Sequence, residues 1–97
     1  MPLIHNDDGL IDWRPGTAGN AEITNIVANT PGQGKGKGLL ALALSEIRAS
    51  GYTYVYLFSE LRNRRAHNFF EAHGFERIAT ILNFYRHDHG VLFGRRL

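Results

Sequence analysis

The chain has 97 residues, 43% of them hydrophobic, which suits one soluble domain over residues 1–97 with a modest core and no room for a second. A formal net charge of +2 and a pI near 9.3 make it mildly basic, an excess that does not by itself point to nucleic acid. It has no cysteine, which excludes a disulfide framework, a thiolate metal site and a cysteine nucleophile, and fits a reducing compartment. The apolar runs are far too short to span a membrane. The start, Met1 to Asp8, lacks the basic region and apolar stretch of a signal peptide, so the expectation is a cytoplasmic protein with no membrane partner.

In chain order, Leu3 to His5 and Leu10 to Trp13 read as two short strands around Asn6-Asp7-Asp8-Gly9, where Asp8-Gly9 is a hairpin signal. Gly16 to Asn20 forms the next turn. Ala21 to Asn29, with Ile23, Ile26, Val27 and Ala28, reads as a strand ended by Thr30-Pro31-Gly32. Beyond the glycine run that follows, Leu39, Leu40, Ala43, Leu44 and Ile47 have helical spacing, and Ser50-Gly51 supplies the glycine of a helix end. Tyr52 to Phe58 is almost continuously apolar or aromatic, as a central parallel strand would be. A second helix is expected from about Asn63 to His73. Its apolar face is Ala66, Phe69, Phe70 and His73, its N-cap Asn63 and its stop Gly74. Two closing strands run from about Glu76 to Arg86 and Gly90 to Arg96, with His87 to Gly90 as the turn. The order is β-β-β-α-β-α-β-β, an α/β (α+β) domain, and the crossover over residues 21–58 should be right-handed.

The compositional anomaly is Gly32-Gln33-Gly34-Lys35-Gly36-Lys37-Gly38. Glycine-rich runs are often linkers, but this one lies between a strand and a helix start. There the N–H groups of the first helical turn and the helix dipole favour an anion. Glycines let the backbone come close, and Lys35 and Lys37 add charge. The triphosphate-binding loop needs four residues between its first glycine and Gly-Lys, then Ser or Thr. Here Gly32 and Gly36-Lys37 are separated by three residues and Gly38 follows. The dinucleotide fingerprint fails as well, because these glycines are spaced by two. What fits is Gln33-x-x-Gly36-x-Gly38.

Gln-x-x-Gly-x-Gly between a strand and a helix resembles the acyl-CoA motif of the GNAT superfamily of N-acetyltransferases. Asn63-Arg64-Arg65-Ala66 on a helix that ends in Gly74-Phe75 resembles the family's next signature. Val91 to Leu97 is similar to its last strand. The resemblance covers about Glu22 to Leu97. It implies a mixed, mostly antiparallel central sheet with a splayed parallel pair, whose cleft holds the pantetheine arm of acetyl-CoA or coenzyme A. It implies that the backbone of Ile26, Val27 and Ala28 pairs with the pantetheine amides. Gln33, Gly34, Lys35, Gly36, Lys37, Gly38 and Leu39 would hold the pyrophosphate, and Asn63 would position the pantetheine end. The family's N-terminal strand and two helices, which build the acceptor pocket, have no counterpart before Ala21. An open acceptor side suits a peptide or protein amine; a homodimer would suit a small-molecule one.

Amine acetylation needs a neutral amine, and an alkylamine has a pKa of about 10.4, so a proton must leave before attack. Glu22, eleven residues before Gln33, matches the family's base position; a solvated strand-end glutamate is the equal alternative. A backbone N–H near Val27 would hold the developing negative charge. The tyrosine that protonates the leaving thiolate in the family is matched by Phe70, which has no proton to give, so Tyr85 or a water would replace it. No metal is expected. His87-x-His89 reads as surface histidines on a turn, His67 as exposed, and His73 as a helix C-terminal charge. Arg62, Arg64 and Arg65 read as a solvated face, and Tyr52, Tyr54 and Tyr56 as core packing. Three functions stay open: an active N-acetyltransferase, a CoA-binding module without catalysis, and a small phosphate- or nucleic-acid-binding domain.

Overall fold

The elements are β1 (Leu3–Asn6), β2 (Gly9–Pro15), β3 (Ala21–Ala28), α1 (Lys35–Ala49), β4 (Tyr54–Glu60), α2 (Arg64–Ala72), β5 (Glu76–Tyr85) and β6 (Asp88–Arg96), with a short 3-10 turn at Thr17–Gly19. This is the order read from the pattern. The computed structural model describes residues 3–28 and 34–97. The six strands form one mixed sheet in the order β1-β2-β3-β4-β6-β5, mostly antiparallel, with β3 and β4 parallel. No helix among the described residues is long and apolar enough to cross a membrane. The chain divides into two compact units, one running to Val55 and including Leu97, the other Tyr56–Arg96.

In the first unit, β1 and β2 form a hairpin whose register pairs Asn6 with Gly9. The turn residues are therefore Asp7 and Asp8, not the Asp8-Gly9 pair that the sequence suggested. Asn6 Oδ1 accepts the N–H of Asp8 at 2.8 Å, so an Asn side chain starts the turn. Gly9, with φ 138°, opens the next strand. Any Cβ there would collide with the carbonyl of Val27 across the sheet.

β2 and β3 pair with one register shift, between Asp12 opposite Asn25 and Trp13 opposite Ile23. Thr24 is the extra residue, and its hydroxyl donates to the Asp12 carbonyl at 3.4 Å. A bulge of this kind keeps the residues on both sides of it facing as the partner strand requires. Ile11, Trp13, Ala21 and Ile23 are buried on the face covered by α1. The helix answers with Leu39, Leu40, Ala43 and Ile47, all buried, each leucine or isoleucine worth about 1.5–3 kcal/mol. Trp13 Nε1 donates to Glu46 Oε1 at 3.1 Å, and its ring meets Tyr52 edge-on at 5.7 Å, so Tyr52 packs just before the strand rather than on it.

In the second unit, α2 starts at its expected cap. Asn63 Oδ1 accepts the N–H of Ala66 at 3.1 Å. It stops as His73 Nδ1–H donates to the Phe69 carbonyl at 2.7 Å. The buried positions are His67 and Phe70. The expectation that His67 is exposed is wrong: the residue is 4% exposed. Its Nε2–H donates to the Glu60 carbonyl at 2.8 Å, and Nδ1 then accepts from Arg77 Nη2 at 3.0 Å. Both partners lie outside the helix, so helical periodicity alone cannot reveal them. Phe70 packs against Phe75 and Phe93 at 5.6 and 6.0 Å between ring centroids.

The β5–β6 turn is tighter than expected, because β6 begins at Asp88. Asp88 accepts the N–H of Arg62 at 2.9 Å and of His89 at 2.8 Å. The Arg62 bond first, opposed by burial and helped by the His89 bond, holds the Asp88 carboxyl below the ordinary value. His89 Nδ1 accepts the N–H of Asn83, a residue with φ 57° inside the β5 bulge. His89 thus braces that bulge rather than standing on a free turn. β5 is the sheet edge, with Ile78, Leu82 and Phe84 exposed.

Candidate functional site

The N-terminus of α1 is built for an anion. Gly34 is the N-cap in the left-handed region, φ 75°, a conformation that glycine adopts without strain. Among the described residues no side chain caps the helix, and its first turn contains no acidic residue. Helix geometry leaves the N–H groups of Gly34 to Lys37 without an intrahelical acceptor, whereas Gly38 N–H already donates to the Gly34 carbonyl at 3.4 Å. The helix begins at Lys35, so most of the glycine-lysine run is first helical turn rather than loop. Lys35 and Lys37 bring two cations to that turn. This donor set fits a pyrophosphate. Leu39 is fully buried in the core, so only its backbone faces the helix start. Gln33, together with Asn29 to Gly32, lies outside the described residues.

A carboxylate from the hairpin sits beside this helix end. Asp8 Oδ1 is 4.0 Å from Lys35 Nζ, and a Cβ placed on Gly38 would lie 3.8 Å from Asp8 Oδ2. The sequence offers no signal for this approach, since it depends on how the β1–β2 hairpin folds back.

Ile26, Val27 and Ala28 close β3, opposite Ile11, Leu10 and Gly9. Val27 is exposed. Glu22 lies at the other end of β3, directly opposite Arg14. Arg14 Nη2 and Nε both donate to Glu22 Oε1, at 3.0 and 3.2 Å. The Glu22 side chain is only 12% exposed, so it is not a solvated strand-end glutamate but a fixed cross-strand pair. Arg14 was not singled out in the sequence; the cross-strand register is what finds it.

The first unit thus gathers Glu22, Ile26 to Ala28 and Gly34 to Leu39. Asn63 and Tyr85 belong to the second. Asn63 Oδ1 is engaged as a helix cap. Tyr85 ends β5 opposite Asp88, its ring edge-on to Phe84 at 5.1 Å. Phe70, at the position of the family tyrosine, is a core ring. No group of three or more His, Cys, Asp or Glu that could hold a metal occurs among the described residues.

A strand, a glycine-capped helix start and a parallel return strand in this mixed sheet define an acetyltransferase fold. A model of the acetyltransferase (GNAT) family matches residues 6–75. The chain belongs to the GNAT family. No curated protein sequence matches it. Among solved structures it is similar to Ard1 from Thermoplasma volcanium, with 22% identity and a TM-score of 0.83 over 91% of this chain and 62% of that one. It is similar to a GNAT family acetyltransferase from Elizabethkingia anophelis with acetyl-CoA bound, with 16% identity and a TM-score of 0.85 over 91% and 67%. Naa20 of Chaetomium thermophilum in complex with a bisubstrate analogue is also similar, with 16% identity and a TM-score of 0.84 over 98% and 64%. These likenesses are of fold. The chain spans 58–64% of the length of the first solved structures that it matches.

Proposed function

We propose that the chain binds acetyl-CoA and transfers its acetyl group to a primary amine by direct attack in a ternary complex. The observation that carries this is the start of α1, with no acidic residue in its first turn, capped by a left-handed Gly34 and charged by Lys35 and Lys37, inside a GNAT sheet. The N–H groups of that turn would hold the pyrophosphate. The end of β3, Ile26 to Ala28, would offer its backbone to the pantetheine amides as a neighbouring strand does. Asn63 would meet the pantetheine end through the amide nitrogen while its oxygen stays on Ala66.

Acetyl-CoA supplies the activated acyl group. Glu22, its orientation fixed by Arg14, would take the proton that the amine loses, directly or through a water. A backbone N–H near Val27 would stabilise the charge that develops on the carbonyl oxygen as the C–N bond forms. The C–S bond then breaks, and the leaving thiolate takes a proton from Tyr85 or from water. In support of an amine acceptor, one neighbour of known structure holds a peptide and CoA and another a bisubstrate analogue. The acceptor of this chain is either a peptide amine or a small-molecule one.

A second reading, a CoA-binding module without catalysis, is favoured by Phe70. Its ring fills the core and offers no proton. Calorimetry with acetyl-CoA, and thiol release with a panel of amines, separates the two. Binding without thiol release supports the module. No binding up to millimolar acetyl-CoA removes both. With an active acceptor in hand, Glu22→Gln should lower kcat at neutral pH and leave acetyl-CoA affinity intact; unchanged kcat removes Glu22 from the mechanism.

A further inference from the structure

One stripe of α2 is polar. Arg64, His67, Asn68 and Glu71 recur at i, i+3, i+4 and i+7, which places them along one side of the helix. With Leu61 and with Arg77 of β5 they line a cavity of about 470 Å³. The cavity is open to solvent, since Arg64, Asn68, Glu71 and Arg77 are exposed, and it lies wholly within the second unit. Its volume is that of a small-molecule site. A single ion or water, whose share of liquid volume is about 30 Å³, would leave it mostly unfilled.

The charges that line it are not spent on one another. Among the described residues neither the Arg64 nor the Arg77 guanidinium has a carboxylate partner, and Glu71 has no cation. Neutral groups hold Arg77 instead. Its Nη2 donates to His67 Nδ1 at 3.0 Å, and its guanidinium carbon lies 5.9 Å from the centre of the Phe93 ring. His67 is itself locked, buried and donating Nε2–H to the Glu60 carbonyl at 2.8 Å. The imidazole and the ring fix this cation without neutralising it, and leave its other N–H donors for a ligand. A guanidinium fixed in advance loses little freedom when it takes a carboxylate. Arg64 brings a second planar fork. Glu71 stands seven residues further on, about 10.5 Å along the helix. A bare anion such as phosphate would satisfy the arginines and leave Glu71 facing a like charge. A molecule with two carboxylates and one ammonium meets all three charges.

We propose that this cavity binds a free acidic amino acid, as an effector rather than as the acyl acceptor. Arg64 and Arg77 take its two carboxylates, Glu71 takes its ammonium, and Asn68 adds a carboxamide between them. This is a second site. None of its residues is among those proposed to hold acetyl-CoA or to move a proton, so it stands whether or not the chain transfers acetyl groups.

The test titrates the full chain with L-glutamate, with glutarate, which keeps both carboxylates and lacks the ammonium, and with inorganic phosphate. Amide NMR shifts and calorimetry follow the binding. In wild type the α2 amides should shift with L-glutamate, which should bind about tenfold tighter than glutarate or phosphate. Glu71→Gln should erase the advantage over glutarate. Arg64→Gln should weaken L-glutamate and glutarate alike by about tenfold and melt as wild type does. Arg77→Lys, which keeps the charge and loses the fork, should weaken both to a similar degree. If losing the His67 bond unfolds that variant, the Arg64→Gln and Glu71→Gln results decide. Saturating acetyl-CoA should leave L-glutamate binding unchanged. A wild-type chain whose α2 amides do not respond to L-glutamate overturns the proposal. So does phosphate bound as tightly as L-glutamate, an Arg64→Gln chain with wild-type affinity, or displacement of L-glutamate by acetyl-CoA.

Discussion

Asn63 and Ala66 are joined by a 3.1 Å hydrogen bond from the Ala66 backbone N–H to the Asn63 side-chain oxygen. The bond gives the Asn-x-x-Ala pattern a structural reason apart from any ligand. Asn63→Ala should destabilise the fold by about 1 kcal/mol, and Asn63→Asp, which keeps the acceptor oxygen, by much less. If the amide nitrogen also positions pantetheine, Asn63→Asp should keep the melting temperature and weaken acetyl-CoA binding. Urea denaturation and calorimetry on the two variants separate the roles.

Asp8 stands beside Lys35, at the helix end proposed for the pyrophosphate. A phosphate arriving there meets a like charge and a lysine already shared. Asp8→Asn should tighten CoA binding by about two- to fivefold at low salt, as expected for a partly exposed pair. The gain should fade towards 1 M salt as screening shortens to a few ångströms. A CoA affinity that is identical in the two proteins at low salt would place Asp8 outside the ligand's reach.

Phe70 fills the space between Phe75 and Phe93. Phe70→Ala should cost about 3–5 kcal/mol, a large share of a small domain's stability. Phe70→Tyr should cost about 1–3 kcal/mol if its hydroxyl stays in the core. If the hydroxyl instead reaches the leaving sulfur, Phe70→Tyr should raise kcat with little change in KM for acetyl-CoA. Denaturation midpoints and steady-state kinetics on one preparation read both effects.

Asp88 has a carboxyl held below its ordinary value, chiefly by the Arg62 N–H. The native state therefore binds that proton less readily than the unfolded chain. The stability it contributes is fully present above the ordinary carboxylate range and is lost as pH falls through the folded value. The urea midpoint should drop between about pH 4 and pH 2 in wild type and drop less steeply in Asp88→Asn. A parallel decline in the two proteins would assign the acid limb to other carboxylates.

The local features were the legible ones. Asn63, Gly74 and the spacing of Phe69 and Phe70 define α2 because caps and helical faces depend on residues three or four apart. The bulge in β3 also leaves a trace. Ile23 and Ile26 sit on one face at a spacing of three, where an unbroken strand would use two. Side-chain partners across the sheet were not legible. Arg14 meets Glu22 through the β2–β3 register, and Arg77 meets His67 from a strand after the helix. The burial of His67 followed from those partners, not from its helical position. For the site, the glycine-lysine helix start was legible from its spacing, and Glu22 was a candidate through the family resemblance alone. The approach of Asp8 to the helix start could not be read, because it arises only when the hairpin closes.

Gly9 carries a consequence for anyone mapping this protein by random mutation. Every other residue at position 9 forces the Val27 carbonyl aside. That backbone is the one proposed to face the reacting acyl group. Loss of acetyl transfer at position 9 would look, in a selection for activity, like the loss of a reacting group. It would come instead from a missing hydrogen atom's worth of space one strand away, and only a substitution that also spares the folded yield could tell the two apart.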